Sequence, residues 1–372
     1  MSTQPRARYI MIGGFLGAGK TTAVARLAQH LTSRGLHVGL ITNDQGSELV
    51  DTAMLRARGF TTEEIPGGCF CCRFNSLMEA AQRLTVATRP DVFIAEPVGS
   101  CTDLVATVTY PLRRIYGDDF SIAPLSVLVD PVRAQRVLGL EEGGNFSSKV
   151  LYIYRKQLEE ADIIVINKID LLDATRLSSL RKALAADFPY AEIVEIAARE
   201  SLNLEGWFEK ITRSEQQARK PMDVDYDVYA EGESLLGWLN CTVQLSASEP
   251  FDAGEVLSAI SARIQQRLQS HEAEIAHLKI TLSPDQGIGG AIAAMNLVRN
   301  DLVPELSLEL EDRLQSGQLI LNLRAEAAPE LLRETVTESL RALPGVEAKL
   351  EHMETFRPGR PMPTHRFTTA LG

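Results

Sequence analysis

The apolar and polar positions divide the chain into two parts with different patterns. Between Tyr9 and about Ile211, short apolar runs alternate with segments whose apolar residues recur at helical spacing. The runs that read as buried strands lie at residues 9–12, 37–42, 91–96, 125–130, 162–166 and 192–196. Strands that alternate with helices along a chain form a parallel sheet covered by helices. The pattern therefore predicts an α/β domain with a doubly wound, mostly parallel sheet.

The second part has fewer and longer elements. Strands are predicted at residues 235–245, 277–282, 318–323 and 346–350, and helices at 252–270 and 329–343. A β-α-β-β-α-β order is that of a ferredoxin-like α+β domain, so residues 283–316 read as an insertion. We predict a first domain at 1–215, a linker at 216–233, a C-terminal α+β domain at 234–355 and an exposed tail at 356–372.

The most informative motif follows the first strand. The sequence Gly-Gly-Phe-Leu-Gly-Ala-Gly-Lys-Thr-Thr at 13–22 lies between an apolar run and a helical segment, which is the context of a phosphate-binding loop. Lys20 is expected on the β- and γ-phosphates, and Thr21 offers a hydroxyl to Mg²⁺. The predicted phosphate cradle consists of Gly14, Gly17, Ala18, Gly19, Lys20, Thr21 and Thr22. The chain is therefore predicted to bind a nucleoside triphosphate.

Acidic residues follow the second strand and end the third. Asp44, Glu48 and Asp51 are candidates for Mg²⁺, for another metal ion or for orienting a water molecule; a solvated acidic loop is the alternative. Glu96 ends the third strand, where a magnesium-linked carboxylate sits in such enzymes. Gly99 would let its N–H approach the γ-phosphate. We assign Lys20, Thr21 and Glu96 to the catalytic site and Asp44 to the attacking water.

An Asn-Lys-x-Asp sequence at 167–170 follows the fifth strand. The Asp170 carboxylate can accept hydrogen bonds from the N1–H and the 2-amino group of guanine, and adenine has neither donor. Asn167 would brace the phosphate loop, and Lys168 could cover the base. The backbone of Ala197 and Ala198, after the sixth strand, could touch the carbonyl of the base. The pattern favours GTP over ATP.

Three of the five cysteines, Cys69, Cys71 and Cys72, lie within four residues and follow two glycines. Such short spacing hinders disulfide pairing but suits a soft or borderline divalent metal. Three thiolates leave zinc one ligand short of a tetrahedron, and water, a carboxylate or a partner's side chain could be the fourth ligand. The alternative interpretation is a group of ordinary buried cysteines.

Composition narrows the class of partner. A net charge of −11 and a pI of about 5.2 argue against nucleic acid or an anionic membrane as the main partner. No apolar run approaches the ~20 residues that span a bilayer. The first eight residues carry no signal-peptide core. We therefore expect a cytoplasmic protein.

With these motifs assembled, the chain resembles the CobW family of P-loop GTPases, which is related to the GTPases that assist nickel insertion into hydrogenase and urease. The resemblance covers about residues 8–212 and rests on the phosphate loop, Gly-Cys-Phe-Cys-Cys at 68–72, Glu-x-x-Gly at 96–99 and the Asn-Lys-x-Asp sequence. It implies a GTP-hydrolysing metallochaperone that handles zinc, or cobalt or nickel. It also implies a nucleotide-dependent homodimer or docking to a client protein that receives the metal.

Three functional hypotheses follow, of which the third is the weakest. The first is an enzyme that hydrolyses GTP to GDP and phosphate and couples this reaction to the binding and delivery of a divalent metal, with zinc expected. The second is a nucleotide-gated zinc sensor or scaffold with negligible turnover. The third, an accessory GTPase of cobalamin metabolism, is suggested by the family name alone.

Overall fold

The computed structural model describes residues 6–45, 50–284 and 291–369. The chain forms two compact units. The first consists of Met1–Gln45, Phe60–Tyr229 and Pro361–Gly372, and the second of Gly46–Gly59 and Ala230–Arg360. Among the residues described, no helix combines the length and the apolar composition needed to cross a membrane.

The first unit is built on an eight-stranded sheet in which every described pair of strands is parallel. Its strands are β1 (Ala7–Gly14), β2 (Val38–Asn43), β3 (Thr62–Ile65), β4 (Val92–Glu96), β5 (Phe120–Ile122), β6 (Ser126–Val129), β7 (Ile163–Ile166) and β8 (Glu192–Glu195). The order is β3-β2-β4-β1-β6-β7-β8, and β5 pairs with β1. Since β1 lies between β4 and β6, the carboxyl ends of these strands meet beside the phosphate loop.

Helices connect most of these strands. They are α1 (Lys20–Ser33), α2 (Val50–Ala57, in the second unit), α3 (Phe74–Thr88), α4 (Tyr110–Ile115), α5 (Pro131–Val137), α6 (Ser148–Glu160), α7 (Ala174–Asp187) and α8 (Leu204–Arg213). A π-helical segment, Val105–Thr109, runs directly into α4. In α1 the apolar residues at helical spacing, Val24, Leu27, Ala28 and Leu31, are all buried, as an amphipathic helix on a sheet requires.

The predicted doubly wound α/β fold is confirmed, with two strands more than the six expected. The first, β3, carries two adjacent glutamates in a run of four residues, and the second, β5, is three residues long. Neither run is long or apolar enough to stand out in the sequence.

The second unit contains a six-stranded antiparallel sheet and two helices on its apolar core. The elements that follow α9 (Tyr226–Leu235) are β9 (Leu236–Phe251), α10 (Ala253–Ser270), β10 (Glu274–Pro284), β11 (Ala293–Leu297), β12 (Glu305–Leu308), β13 (Leu314–Glu326), α11 (Pro329–Arg341) and β14 (Glu347–Phe356). The sheet order is β12-β11-β10-β13-β9-β14. Without β11 and β12, this is the predicted ferredoxin-like arrangement. The expected insertion at 283–316 contributes β11 and β12, which extend the sheet beyond β10.

Two predicted boundaries differ from the structure. Helix α9 occupies the second half of the segment expected to be a linker, and residues 216–229 belong to the first unit. Residues from Pro361 onward also belong to the first unit rather than to an exposed tail, although several of their side chains, such as that of Met362, are exposed. Turn-rich and proline-rich composition indicated a lack of regular structure, but it could not indicate where the segment packs.

Candidate nucleotide and metal site

The phosphate loop connects β1 to α1 through three glycines with positive φ, Gly14 (130°), Gly17 (79°) and Gly19 (90°). A Cβ on Gly14 would lie 2.3 Å from the carbonyl oxygen of Leu128 on β6. A side chain there is excluded both by the backbone conformation and by the neighbouring strand. The backbone conformation and the neighbouring strand together fix the start of the loop.

Helix α1 begins directly behind the loop. It has no side-chain cap and no acidic residue in its first turn, an arrangement that suits an anion at its N-terminus. Lys20 is buried, and its Nζ donates to the carbonyl oxygens of Gly14 at 2.8 Å and Phe15 at 3.4 Å. The ammonium group is thus held inside the curve of the loop.

Thr21 and Glu96 meet at the carboxyl end of β4. The Thr21 hydroxyl donates to Glu96 Oε1 at 3.0 Å, and both side chains are buried. A hydroxyl and a carboxylate are oxygen ligands of the type that Mg²⁺ prefers, so the pair fits this ion directly or through water. Gly99 packs on the phosphate loop, where an added Cβ would lie 2.9 Å from the Leu16 nitrogen. Thr22 is half-buried on α1.

Asn167 joins the loop to the end of β7 and to the residues after β8. Its Nδ2 donates to the carbonyl of Ala18 at 2.9 Å, and its Oδ1 accepts from the Ala198 amide at 3.0 Å. The Ala197 amide donates to the carbonyl of Leu202. Asn167 therefore occupies the expected bracing position. The Ala198 amide, whose backbone could touch the carbonyl of a base, donates to this brace.

Lys168 has φ of 55° and reaches back across the loop. Its Nζ donates to the Gly17 carbonyl at 2.8 Å and pairs with Asp130 Oδ2 at 2.9 Å. Asp130 Oδ1 meanwhile accepts from the Arg133 amide and caps α5. Asp130 thus caps α5 with one carboxylate oxygen and pairs with Lys168 through the other. Asp170 lies in a short 3-10 turn and is exposed, so its carboxylate is accessible to a base.

Arg133 supports the loop and was missed from the sequence. It is buried, its Nη1 donates to the Leu16 carbonyl at 3.2 Å, and its guanidinium lies 4.8 Å from the ring centroid of Phe146. The usable signal was Asp130-Pro131, which starts a helix and so places Arg133 in its first turn. Nothing in the sequence indicated that α5 would face the phosphate loop.

The three clustered cysteines converge. Cys69 Sγ lies 2.7 Å from Cys71 Sγ and 3.3 Å from Cys72 Sγ, and the third pair is 3.7 Å apart. None of them is in a disulfide, and they form a group that could hold a metal ion. The first two are buried and Cys72 is half-buried. Converging sulfurs of this kind suit zinc or a similar metal, so the residues fit the predicted ion.

Mutual hydrogen bonding separates the acidities of these thiols. Contacts with neighbouring thiols, that of Cys101 above all, hold the pKa of Cys69 well below its usual value. Hydrogen bonds with Cys101, Cys69 and Cys72 raise the pKa of Cys71 well above its usual value. A hydrogen bond with Cys69 is the main cause that raises the pKa of Cys72 to about 11. The cluster therefore has one preferred thiolate, at Cys69, and Cys101 is a neighbour that the sequence interpretation did not include.

The segment from Pro361 covers one side of this cluster. The Met362 amide donates to Cys72 Sγ at 3.1 Å, and the Thr364 amide donates to the Cys71 carbonyl at 2.8 Å. Arg366 Nε is anchored on Asp103 Oδ2 at 2.6 Å. An N–H directed at a sulfur stabilises its thiolate, so this segment contributes to the electrostatics of the site.

Asn43, at the end of β2, connects the strand to the cysteine segment. Its Nδ2 donates to the carbonyls of Ile65 at 2.9 Å and Gly68 at 2.6 Å. Asp44 follows it and is half-buried. Asp51, a candidate for the metal or water site, instead pairs with Lys279 at 2.5 Å within the second unit. Glu48 lies outside the described residues.

Comparison with known proteins identifies relatives of this chain. The chain is 30% identical over 195 residues to a protein of Sinorhizobium sp. named zinc chaperone CobW, which is 47% of this chain and 54% of that protein. It is 32% identical over 163 residues to zinc chaperone YeiR of Escherichia coli, which is 43% of this chain and 46% of the relative. The chain thus spans about half the length of the curated relatives it matches.

Solved structures are more distant. The structure titled Zn(II)-bound YjiA GTPase from E. coli is 14% identical, with a TM-score of 0.38, and covers 90% of this chain and 99% of its own. HypB from Helicobacter pylori in complex with nickel is 17% identical, with a TM-score of 0.40, and covers 55% of this chain and 84% of its own.

The family described as CobW/HypB/UreG, nucleotide-binding domain, matches residues 8–195, slightly more than half of the 372 residues. This range contains the phosphate loop, the cysteine cluster, Glu96 and Asn167. The chain belongs to the CobW/HypB/UreG family of nucleotide-binding domains.

Proposed function

We propose that this protein hydrolyses GTP to GDP and phosphate and uses the nucleotide to control the binding and delivery of a divalent metal, with zinc as the expected ion. The observation that carries the proposal is the direct bonding of Asn167 to Ala18 and of Lys168 to Gly17. These bonds join the segment that ends in Asp170 to the phosphate loop, so a base and its phosphates can be held together. The converging sulfurs lie in the same unit.

The proposed chemistry uses residues already held in place. The oxygen of a water molecule attacks the γ-phosphorus, and the bond to the oxygen bridging the β- and γ-phosphates breaks, which releases phosphate and GDP. Lys20 and the loop amides oppose the charge that develops on the transferred group. Mg²⁺, when held by Thr21 and Glu96, would neutralise charge on the β- and γ-phosphate oxygens. Asp44 is our candidate for orienting the water.

The cysteine cluster is the proposed cargo site. Cys69, Cys71 and Cys72 supply soft ligands, and the two curated relatives described above are named zinc chaperones. Asn43 offers a route for coupling, because it precedes Asp44 and also bonds the Gly68 carbonyl next to Cys69. A change at the end of β2 on phosphate release would therefore be transmitted to the cysteine segment. The partner we propose is a client protein that receives the metal, with a nucleotide-dependent homodimer as a further proposal.

Two measurements on the full chain test these steps. Turnover of GTP with and without zinc, compared with Lys20→Ala, tests hydrolysis, and a rate no better than that of the variant favours the nucleotide-gated sensor or scaffold. Zinc dissociation constants with a GTP analogue and with GDP test coupling. Equal constants in the two states would remove the coupling, since a ligand shifts only an equilibrium whose states it binds differently.

A further inference from the structure

Three consecutive carbonyls of the phosphate loop are each held by a side chain from another part of the fold. The Leu16 carbonyl accepts from Arg133 Nη1 at 3.2 Å, that of Gly17 from Lys168 Nζ at 2.8 Å, and that of Ala18 from Asn167 Nδ2 at 2.9 Å. Two of these donors belong to the Asn-Lys-x-Asp sequence. Arg133 belongs to no such motif and comes from α5, so its bond to the loop needs an explanation of its own.

The direction of a loop carbonyl fixes the direction of the next amide. In a planar trans peptide the C=O and the following N–H point in opposite directions, and no described peptide bond is cis. In the peptide between Gly17 and Ala18, the carbonyl accepts from Lys168. Its N–H donates to the Phe15 carbonyl at 3.2 Å, which also accepts from Lys20 Nζ. A carbonyl held from outside thus sends the next N–H into the curve of the loop, beside the Lys20 ammonium.

Arg133 acts in the same way on the peptide between Leu16 and Gly17. Because its guanidinium holds the Leu16 carbonyl, the Gly17 N–H points away from Arg133. Gly17 has φ of 79°, and glycine adopts either sign of φ readily, so the chain alone does not fix this peptide. This part of the loop also lies against Gly99, where an added Cβ would be 2.9 Å from the Leu16 nitrogen. Since Gly99 is expected to approach the γ-phosphate, the Gly17 amide belongs to the same side of the cradle.

Arg133 is itself held in a defined position. Only 4% of its surface is exposed, and its guanidinium lies 4.8 Å from the ring centroid of Phe146 and 5.7 Å from that of Phe15. Its backbone amide donates to Asp130 Oδ1 at 3.0 Å, at the start of α5. A planar guanidinium that packs on aromatic rings loses little further freedom when it donates a hydrogen bond. The donor to the Leu16 carbonyl is therefore well oriented.

We propose that Arg133 is a positioning residue for GTP hydrolysis: by holding the Leu16 carbonyl, it directs the Gly17 N–H at the phosphoryl group that is transferred. This inference deepens the proposed function and rests on it. An amide directed in advance opposes the negative charge that develops on the transferred group without rearranging during the reaction. In this role Arg133 acts through the loop and does not touch the nucleotide.

The test compares Arg133→Met, which keeps an apolar stem but has no donor, with Arg133→Lys, which keeps a cationic donor. In Arg133→Met, kcat for GTP should fall roughly 10–100-fold, because the Gly17 amide is then directed at the γ-phosphate for only part of the time. Affinity for a non-hydrolysable GTP analogue should fall relative to affinity for GDP, which has no γ-phosphate. Arg133→Lys should recover part of both losses. Arg155→Met, at a half-exposed arginine of α6, is the control and should change neither.

These measurements distinguish failure of this inference from failure of the proposed function. If wild-type turnover is no faster than that of Lys20→Ala, the proposed hydrolysis fails, and the ratio of the two affinities still tests Arg133. If Arg133→Met keeps both kcat and that ratio, or weakens the analogue and GDP equally, Arg133 only supports the fold of the loop and the proposal is wrong.

A measurement on the wild-type protein does not depend on how any variant folds. Isotope labels on leucine carbonyls and glycine amides select Leu-Gly peptides in an NMR spectrum, and the peptide between Leu16 and Gly17 is one of them. Its amide proton should shift downfield when the GTP analogue replaces GDP, as expected for a hydrogen bond to a charged oxygen. An unchanged amide proton would overturn the assignment.

Discussion

The phosphate loop and the cysteine cluster lie in one unit, but they are held in different ways. Side chains from other strands and helices brace the loop: Asn167, Lys168 and Arg133 each donate to one of its carbonyls. The cluster is instead a group of thiols that hydrogen-bond to one another, with a covering segment on one side. The loop is therefore held from outside by side chains of other elements, and the cluster mainly by contacts among its own residues.

The largest effect is expected at the phosphate loop, on the rate of GTP turnover. Lys20→Ala removes the ammonium group held inside the loop, so GTP turnover should fall by about 10²–10³-fold. Steady-state phosphate release measures this. Lys182→Ala, an exposed lysine on α7, is the matched control and should turn over normally. A rate that survives the loss of Lys20 would mean that this loop is not the reacting site.

Base recognition should be the next most sensitive property. Asp170→Ala removes two hydrogen bonds to a charged acceptor, which corresponds to about 10²-fold weaker GTP binding. The wild-type protein should also prefer GTP to ITP, which lacks the 2-amino group, and the variant should bind both alike. Calorimetric titration provides the constants, with Asp118→Ala as an exposed control. Equal binding of GTP and ITP by the wild-type protein would contradict the assignment of Asp170.

Glu160, a buried carboxyl that bonds the segment after β4, makes the stability of the first unit depend on pH. Glu160 accepts from the Thr102 hydroxyl and the Val105 amide, and burial raises its pKa from 4.5 to about 8. The folded state therefore keeps a proton that the unfolded chain loses above pH 4.5. The contribution of Glu160 to stability is full below that pH and declines as the pH rises toward 8.

Glu160→Gln mimics the protonated acid and should remove this decline. At pH 8.5 the variant should be more stable than the wild-type protein by on the order of 1–3 kcal/mol, with a much smaller difference at pH 5. Urea unfolding at both pH values measures it. Glu159→Gln, at the neighbouring position, which is partly exposed, should show no such pH-dependent gain in stability. Parallel pH profiles for the wild-type protein and Glu160→Gln would show that the carboxyl is ionised in the folded state.

The smallest effect is expected at the segment from Pro361 that packs on the cysteine cluster, and it concerns the rate at which Cys72 is labelled. Arg366→Ala removes the anchor on Asp103, so the segment should open more often and expose Cys72. Alkylation of the metal-free protein should then label Cys72 roughly three- to tenfold faster, as expected for a modest rise in local opening. Arg341→Ala, at the end of α11, is the control. Unchanged labelling would mean that other contacts hold the segment.

The phosphate loop and the Asn167–Asp170 segment could be located from the sequence because each is a contiguous motif that follows a strand. Lys20 and Asn167 both bond the phosphate loop, and their roles toward a nucleotide stay predictions. Contacts between distant segments could not be predicted. Asp51 was a candidate for the crevice because it follows β2, but its helix packs in the second unit and the carboxylate pairs with Lys279. Arg133 and Cys101 belong to no local motif, and only the folded arrangement reveals their neighbours.

Gly19 shows how narrow the margin between the two halves of the nucleotide pocket is. A Cβ at this position would lie 2.4 Å from Nδ2 of Asn167, in the space that the amide uses to reach Ala18. A methyl group at Gly19 would therefore displace the Asn167 amide from the phosphate loop. The lack of a side chain at Gly19 is therefore what allows the segment after β7 to bond the phosphate loop directly.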